Sequence, residues 1–373
     1  MGALRARHGG GLRGGIALTD PRPVLFVTNH APPFRVGAFA ALHEREDVVF
    51  ALIGGGVRHG GGAGTQEAPP FPVLAPAQRA VFRLAACGRF RAVVAGLSGR
   101  VALPAAYFGA RRAGVPFVLW ATIWAHPRTP AHALSYLPLR HLYRHADAVA
   151  TYGPHVSAYV HAKGARGPVV EAPQSVDAGF WSAPAAPTRR AGHQVMFVGR
   201  LEREKGVCVL LQAWQALGLS APETALILVG DGPIRARAVA TGAVLLEGPQ
   251  TPAQLRNFYA GSDVVVLPSI PTRDFREPWG LVVNEAFHQG VPVIATDAVG
   301  AAAGGLVQHE RTGLVVPAGD AQALAAAIRR LRDYPALRRS LGERAREAVR
   351  GHTHAAWAAG MASALAAVGA SRG

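Results

Sequence analysis

The chain has 373 residues, half of them apolar, with 39 Lys or Arg against 23 Asp or Glu and a formal net charge of +16. That length accommodates two domains with separate cores. No run comes near the ~20 uninterrupted apolar residues of a membrane helix, since the longest, residues 113–125, contains Gly114 and Pro116. Cys87 and Cys208 form neither a disulfide nor a zinc pattern and read as small buried apolar residues.

The charge is uneven: residues 1–180 hold 19 Lys or Arg against 8 acids, and residues 181–373 hold 20 against 15. A basic first half suits an anionic membrane face, an acidic acceptor or nucleic acid. Arginine bias accounts for part of it, because 37 of the cations are Arg and the two lysines are Lys163 and Lys205. Residues 1–22 lack an apolar signal core and read as a disordered leader of a cytoplasmic protein.

The first element is the apolar run at 24–28, stopped by Asn29-His30. A helix over 34–44 and a strand over 48–53 follow, and then the Gly- and Pro-rich stretch 54–76 reads as one long loop. Further strands at 92–95, 116–120 and 148–151 alternate with helical stretches, which implies a parallel sheet covered by helices in a domain over 23–180. The Pro-rich residues 181–192 read as a linker. A second series has strands at 194–198, 225–229, 243–246, 264–267 and 292–295, giving a domain over 193–350, and residues 319–368 are helical. The fold class is therefore α/β, two Rossmann-like doubly wound domains facing across a cleft, with ligands expected beyond the carboxyl ends of the strands.

Six stretches of the second half carry the chemistry. They are Val-Gly-Arg-Leu-Glu-Arg-Glu-Lys-Gly (198–206), Leu-Val-Gly-Asp-Gly-Pro (228–233), residues 263–269, the carboxylate pair Glu277 and Glu285, and Gly-Val-Pro-Val-Ile-Ala-Thr-Asp (290–297) followed by 312–320. Pro278 and Gly280 break the chain before a helix, so Glu277 falls in a loop and Glu285 in the helix's second turn. Unpaired N–H groups between them suit a phosphate. Arg200 and Lys205 follow a strand on a loop that faces the cleft, where a departing diphosphate needs cations.

In order and approximate spacing these stretches resemble the nucleotide-sugar-binding half of the retaining family 4 glycosyltransferases of GT-B fold. The resemblance implies sugar transfer from a nucleotide-diphosphate sugar to an acceptor hydroxyl with retention of configuration, the leaving diphosphate assisting the hydroxyl's proton loss. It also implies that a helix at 351–373 returns to the first domain. Arg200, Lys205, Glu277 and His126 would be catalytic, with Glu277 on the sugar hydroxyls and Glu285 on the ribose. Gly199, Gly230, Asp231, Gly248, Pro249, Gln250, Pro278, Trp279, Gly280 and Leu281 would line the donor site. Where the family carries a glycine pair after the first strand, this chain has only Gly37, which by the resemblance would join the donor site, with His30 and Arg35 nearby.

Metal-held transferases carry an Asp-any-Asp pair, and none of the ten Asp residues here stands two from another. Metal-independent catalysis without a cofactor is the expectation. The acceptor is expected to be lipid-linked or a polysaccharide, with peripheral contact to an anionic membrane and no specific nucleic acid. Competing readings are an epimerase or phosphorylase of the same fold, or a non-catalytic sugar-nucleotide- or nucleic-acid-binding protein.

Overall fold

The computed structural model describes residues 20–54, 68–219, 222–242, 244–246 and 250–372. Gly248 and Pro249, most of the leader and part of the 54–76 loop lie outside these residues.

The first sheet contains β1 (Val24–Thr28), β2 (Val48–Leu52), β3 (Val73–Leu74), β4 (Ala92–Gly96), β5 (Phe117–Ala121), β6 (Ala148–Thr151) and β7 (Val169–Glu171). Its order is β3-β2-β1-β4-β5-β6-β7 and every pairing is parallel. The continuous apolar runs follow from that arrangement, because helices cover both faces of a parallel sheet and every residue of β1, β4 and β5 is buried. β3 corrects the expectation of an unstructured 54–76 stretch. Two exposed residues suffice to pair with Phe50 and Ala51, and no periodicity can show in so short a strand.

The second sheet contains β8 (His193–Val198), β9 (Thr224–Val229), β10 (Val244–Leu246), β11 (Val264–Leu267), β12 (Val293–Thr296) and β13 (Gly313–Val316) in the order β10-β9-β8-β11-β12-β13, again parallel. In each sheet the winding reverses beside one strand, between β1 and β4 and between β8 and β11. A crevice opens where neighbouring connections leave in opposite directions, and the two crevices face each other.

The last helix, His354–Ala366, packs on helix Pro33–Glu46 and on β6 and β7 of the first domain. Thr353 caps it by accepting the Ala356 N–H at 3.0 Å. The fully buried Trp357 ring joins Phe39 and Trp120, each at 5.6 Å between centroids. A second tie closes the far end: Arg91 pairs with Glu46 at 2.9 Å and donates to the Ala370 carbonyl, while Glu46 also accepts the Arg372 N–H. Cys87, expected to be buried, is exposed, and Cys208 is half-buried.

Candidate active site

The loop after β8 turns through Gly206, at φ +71°, into helix Val207–Leu217. A Cβ there would stand 1.8 Å from the Pro268 carbonyl, so the loop lies against the end of β11 only because residue 206 is glycine. This close approach carries Lys205 to the carboxyl end of β11. Its ammonium donates to Glu277 Oε2 at 2.6 Å, and Ser269 donates to the same oxygen at 3.0 Å. Lys205 and Glu277 are 17% and 8% exposed, little enough for the pair to be poorly screened. The Phe275 ring covers the ammonium at 5.0 Å.

Glu277 is held by its backbone as well. Its carbonyl accepts from Trp124 of the first domain at 2.9 Å and from the Gly300 N–H at 3.1 Å. Pro278 accepts from His155 Nε2 at 3.1 Å. Trp279 is buried and donates to Asn284, which in turn donates to the Gln174 carbonyl. Gly280 has φ +96°, and a Cβ would meet Leu267 at 2.4 Å. Pro278, Trp279, Gly280 and Leu281 therefore form one wall of a cleft cavity of about 360 Å³, opposite His30 and Arg35 of the first domain. Among the described residues lining it, Glu277 is the only carboxylate.

Arg35 belongs to helix Pro33–Glu46 rather than to a loop. Its guanidinium is buried against Trp120 and Tyr152, at 5.2 and 5.3 Å from the ring centres, and donates to Tyr152 OH and Gln174.

Other expected residues sit differently. Arg200 is half-exposed and forks onto Glu202 and Glu204 of its own loop, not onto a group across the cleft. The helix after Gly280 runs Val282–His288, so Glu285 is its fourth residue and ends its first turn. Glu285 accepts from the buried Tyr259 OH at 2.7 Å and is absent from the wall of the Glu277 cavity. Burial pushes its carboxyl up to about 7, against the lowering effect of the tyrosine hydrogen bond.

Gly199 and Gly230 lie against each other, since a Cβ on Gly230 would stand 1.9 Å from the Gly199 carbonyl. Asp231 accepts the Gly232 N–H, and its carbonyl accepts the Leu201 N–H, each at 2.8 Å. These glycines knit two loops of the rim together. Gln250 precedes helix Pro252–Gly261, which Thr251 and Gln254 cap reciprocally.

Gly37 does not line the cleft. It lies on helix Pro33–Glu46 beneath His354, 2.5 Å from where its Cβ would be, and serves the packing of the returning helix. His126 turns away from the Glu277 cavity: Nε2 meets the His132 carbonyl at 2.7 Å, Nδ1 is buried without a partner, and the ring lines a separate chamber. Ser269, Trp124, Tyr259 and Lys163 had no role assigned from sequence. Only Ser269, closing a strand at the reversal point, carried a usable signal.

Residues 192–333 match the family model described as glycosyl transferases group 1. Solved structures similar over nearly the whole chain include HepE of Anabaena in complex with UDP, at TM-score 0.70 and 18% identity, covering 92% of this chain and 99% of that one. Sucrose-phosphate synthase of Thermosynechococcus elongatus matches at TM-score 0.70 and 20% identity over 92% of this chain and 98% of that one. The fold is GT-B. Within this GT-B chain the family match falls on the second domain and includes Lys205, Glu277 and Glu285.

Relatives by sequence include the lipopolysaccharide core biosynthesis glycosyltransferase LpsD of Rhizobium meliloti, 36% identical over 45% of this chain and 49% of the relative. The D-inositol 3-phosphate glycosyltransferase of Corynebacterium glutamicum is 35% identical over 45% of this chain and 42% of its own. The chain spans about half the length of these relatives or less.

Proposed function

We propose that the protein is a glycosyltransferase that moves a sugar from a nucleotide-diphosphate sugar to an acceptor hydroxyl, with retention and without a metal. The observation carrying this reading is the 2.6 Å contact between Lys205 and Glu277, which joins two stretches 72 residues apart at the mouth of the β8/β11 crevice. An ammonium held against the carboxylate of the cavity wall suits a leaving diphosphate and the hydroxyls of the sugar attached to it. On donor binding Lys205 moves its charge from Glu277 to the diphosphate, where negative charge grows as the glycosidic bond breaks. Glu277 then accepts from vicinal sugar hydroxyls while Ser269 keeps its carboxylate oriented.

Retention is supported by the absence, among the described residues lining the cavity, of a second carboxylate to act as base or nucleophile on the opposite face. The metal-free reading is supported by Lys205 of the β8 loop, which reaches the crevice as a cation beside Glu277. The UDP bound in HepE favours a nucleoside diphosphate donor, and the names of the sequence relatives favour glycosyl transfer.

We propose further that the first domain docks on an anionic membrane presenting the acceptor. Helix Pro130–His145 exposes Leu134 and Leu137 at 83% and 69%, with Arg140 and Arg144 beyond them, an apolar and cationic surface of the kind that settles into a headgroup layer. Among the described residues no helix is long and apolar enough to cross a membrane.

A thermal-shift screen with UDP-, GDP-, ADP- and dTDP-sugars tests the donor, a ligand at a hundred times its Kd stabilising by about 2.7 kcal/mol. Proton NMR of the product then reads its anomeric configuration. Inversion, or activity abolished by EDTA and restored by manganese, would sink the mechanism.

A further inference from the structure

Beside the Glu277 cavity lies a chamber of about 860 Å³ walled by both domains. The first domain contributes Trp124, Arg128, Tyr136 and Lys163, and the second contributes Arg273 and Arg276. The Arg128 N–H donates to the Arg273 carbonyl and so joins the two walls. A neighbouring cavity of about 560 Å³ shares Arg128, Arg273 and Arg276, and its single acid, Asp274, is held by the Thr272 hydroxyl at 2.7 Å.

Among the described residues no carboxylate lines the larger chamber. Four cations face it, and two of them, Lys163 and Arg276, are held by aromatic rings. Lys163 donates to Tyr136 OH at 3.2 Å and stands 4.9 and 5.0 Å from the ring centres of Tyr136 and Tyr159. The Arg276 guanidinium lies 3.5 Å from the Trp124 ring centre, with a buried Nε that has no hydrogen-bond partner. Arg91 and Lys205, by contrast, are enclosed with the acids Glu46 and Glu277. Aromatic faces hold a cation in place without neutralising it. An unneutralised group of two-domain origin has its charge left for a ligand, and planar guanidinium forks match phosphate or carboxylate oxygens. The chamber also adjoins the reaction site, because Trp124 bonds the Glu277 carbonyl and Arg276 precedes Glu277 in the chain.

We propose that this chamber binds a phosphate or carboxylate group carried by the acceptor, so that the protein glycosylates an anionic acceptor. The proposal rests on the transferase reading above for the word acceptor, whereas the anion site stands on its own geometry. The donor diphosphate has its own cation in Lys205, which lines neither of these chambers. The chamber sorts acceptors by charge and holds the acceptor's hydroxyl toward the Glu277 cavity.

Calorimetry on the full chain with glucose 6-phosphate, glucose and UDP is the test. The expected result is binding of glucose 6-phosphate and not of glucose. Arg128→Gln/Lys163→Gln is expected to lose tenfold or more in that affinity while its UDP affinity stays within twofold. A control, Arg329→Gln/Arg339→Gln, removes two exposed cations that do not line the chamber and should leave glucose 6-phosphate binding unchanged. Flotation with phosphatidic acid vesicles beside phosphatidylcholine separates the sources of the phosphate. Vesicle binding lost in the chamber variant and kept in the control, without glucose 6-phosphate binding, places the anion on a lipid headgroup. Equal binding of glucose and glucose 6-phosphate without chamber-dependent vesicle binding, or equal losses in the two double variants, overturns the proposal. Failure of every nucleoside diphosphate to bind the unaltered chain would instead overturn the donor reading, whatever the phosphoester does.

Discussion

The two lysines of this chain are held in opposite ways. Lys205 meets a carboxylate at 2.6 Å, whereas Lys163 meets two tyrosine rings and a phenol oxygen. The first arrangement keeps an enclosed charge balanced before any ligand arrives. The second leaves the charge unbalanced and held in place. A carboxylate partner must be displaced when an anion binds, and an aromatic partner need not be. On this reading the donor wall exchanges partners during the reaction, and the chamber supplies a fixed positive field.

Breaking the Lys205 contact should have the largest effect. Lys205→Ala is expected to lower kcat by two to three orders of magnitude. It also leaves buried Glu277 with Ser269 as its remaining side-chain partner, which costs about 3–5 kcal/mol of stability by analogy with other enclosed pairs. Denaturant melts of Lys205→Met, Glu277→Gln and the double variant measure that coupling. Additive losses would mean that the pair is not one unit.

The two glutamates sharpen the comparison next. Glu277→Gln should lower kcat about a hundredfold with near-normal binding of free nucleoside diphosphate, and Glu285→Gln should weaken that binding about tenfold. Equal losses of nucleotide affinity in both would reverse the assigned roles.

Glu285 also makes stability depend on pH. Its carboxyl stands at about 7 in the folded chain against an ordinary 4.5, so between those values the folded state holds more protons than the unfolded one. The contribution is complete below about pH 4.5, falls as pH rises and is gone above about pH 7. It is worth on the order of 2 kcal/mol after allowance for partial exposure. Melts of the unaltered protein and Glu285→Gln at pH 5 and pH 8 should differ mainly at pH 8, where the amide is the more stable. A constant difference across that range would contradict the assignment.

Smaller still is Gly37→Ala, expected to cost about 1–3 kcal/mol by pushing His354 and the returning helix aside. Nucleotide affinity should not change, and a loss of it would restore Gly37 to the donor site. Last, Lys163→Ala should leave the donor's Kd within twofold, which keeps the two lysines functionally separate.

Much of the fold was legible because its signals are local. Apolar runs of four to six residues, alternating with helical stretches and stopped by Gly, Pro or Asn, recur along the chain and mark both parallel sheets. The ordered stretches from Val198 to Asp320 located the rim on which Lys205 and Glu277 meet. Partner choice was not legible. Arg200 and Lys205 share one loop, yet the sheet order carries only Lys205 to the end of β11, and Arg200 turns to its neighbours Glu202 and Glu204. His126 follows β5 as expected but is drawn to the His132 carbonyl by the start of the next helix. The sequence by itself determined two doubly wound domains, helices over residues 319–368 and a rim built from glycines and charges, because periodicity and turn chemistry act within a few residues. Only the tertiary structure decided that Lys205 pairs with Glu277, that Glu285 rests on Tyr259 and that Lys163 stands among tyrosines. Those contacts join residues 72, 26 and up to 27 positions apart, and strand order and domain closure bring them together.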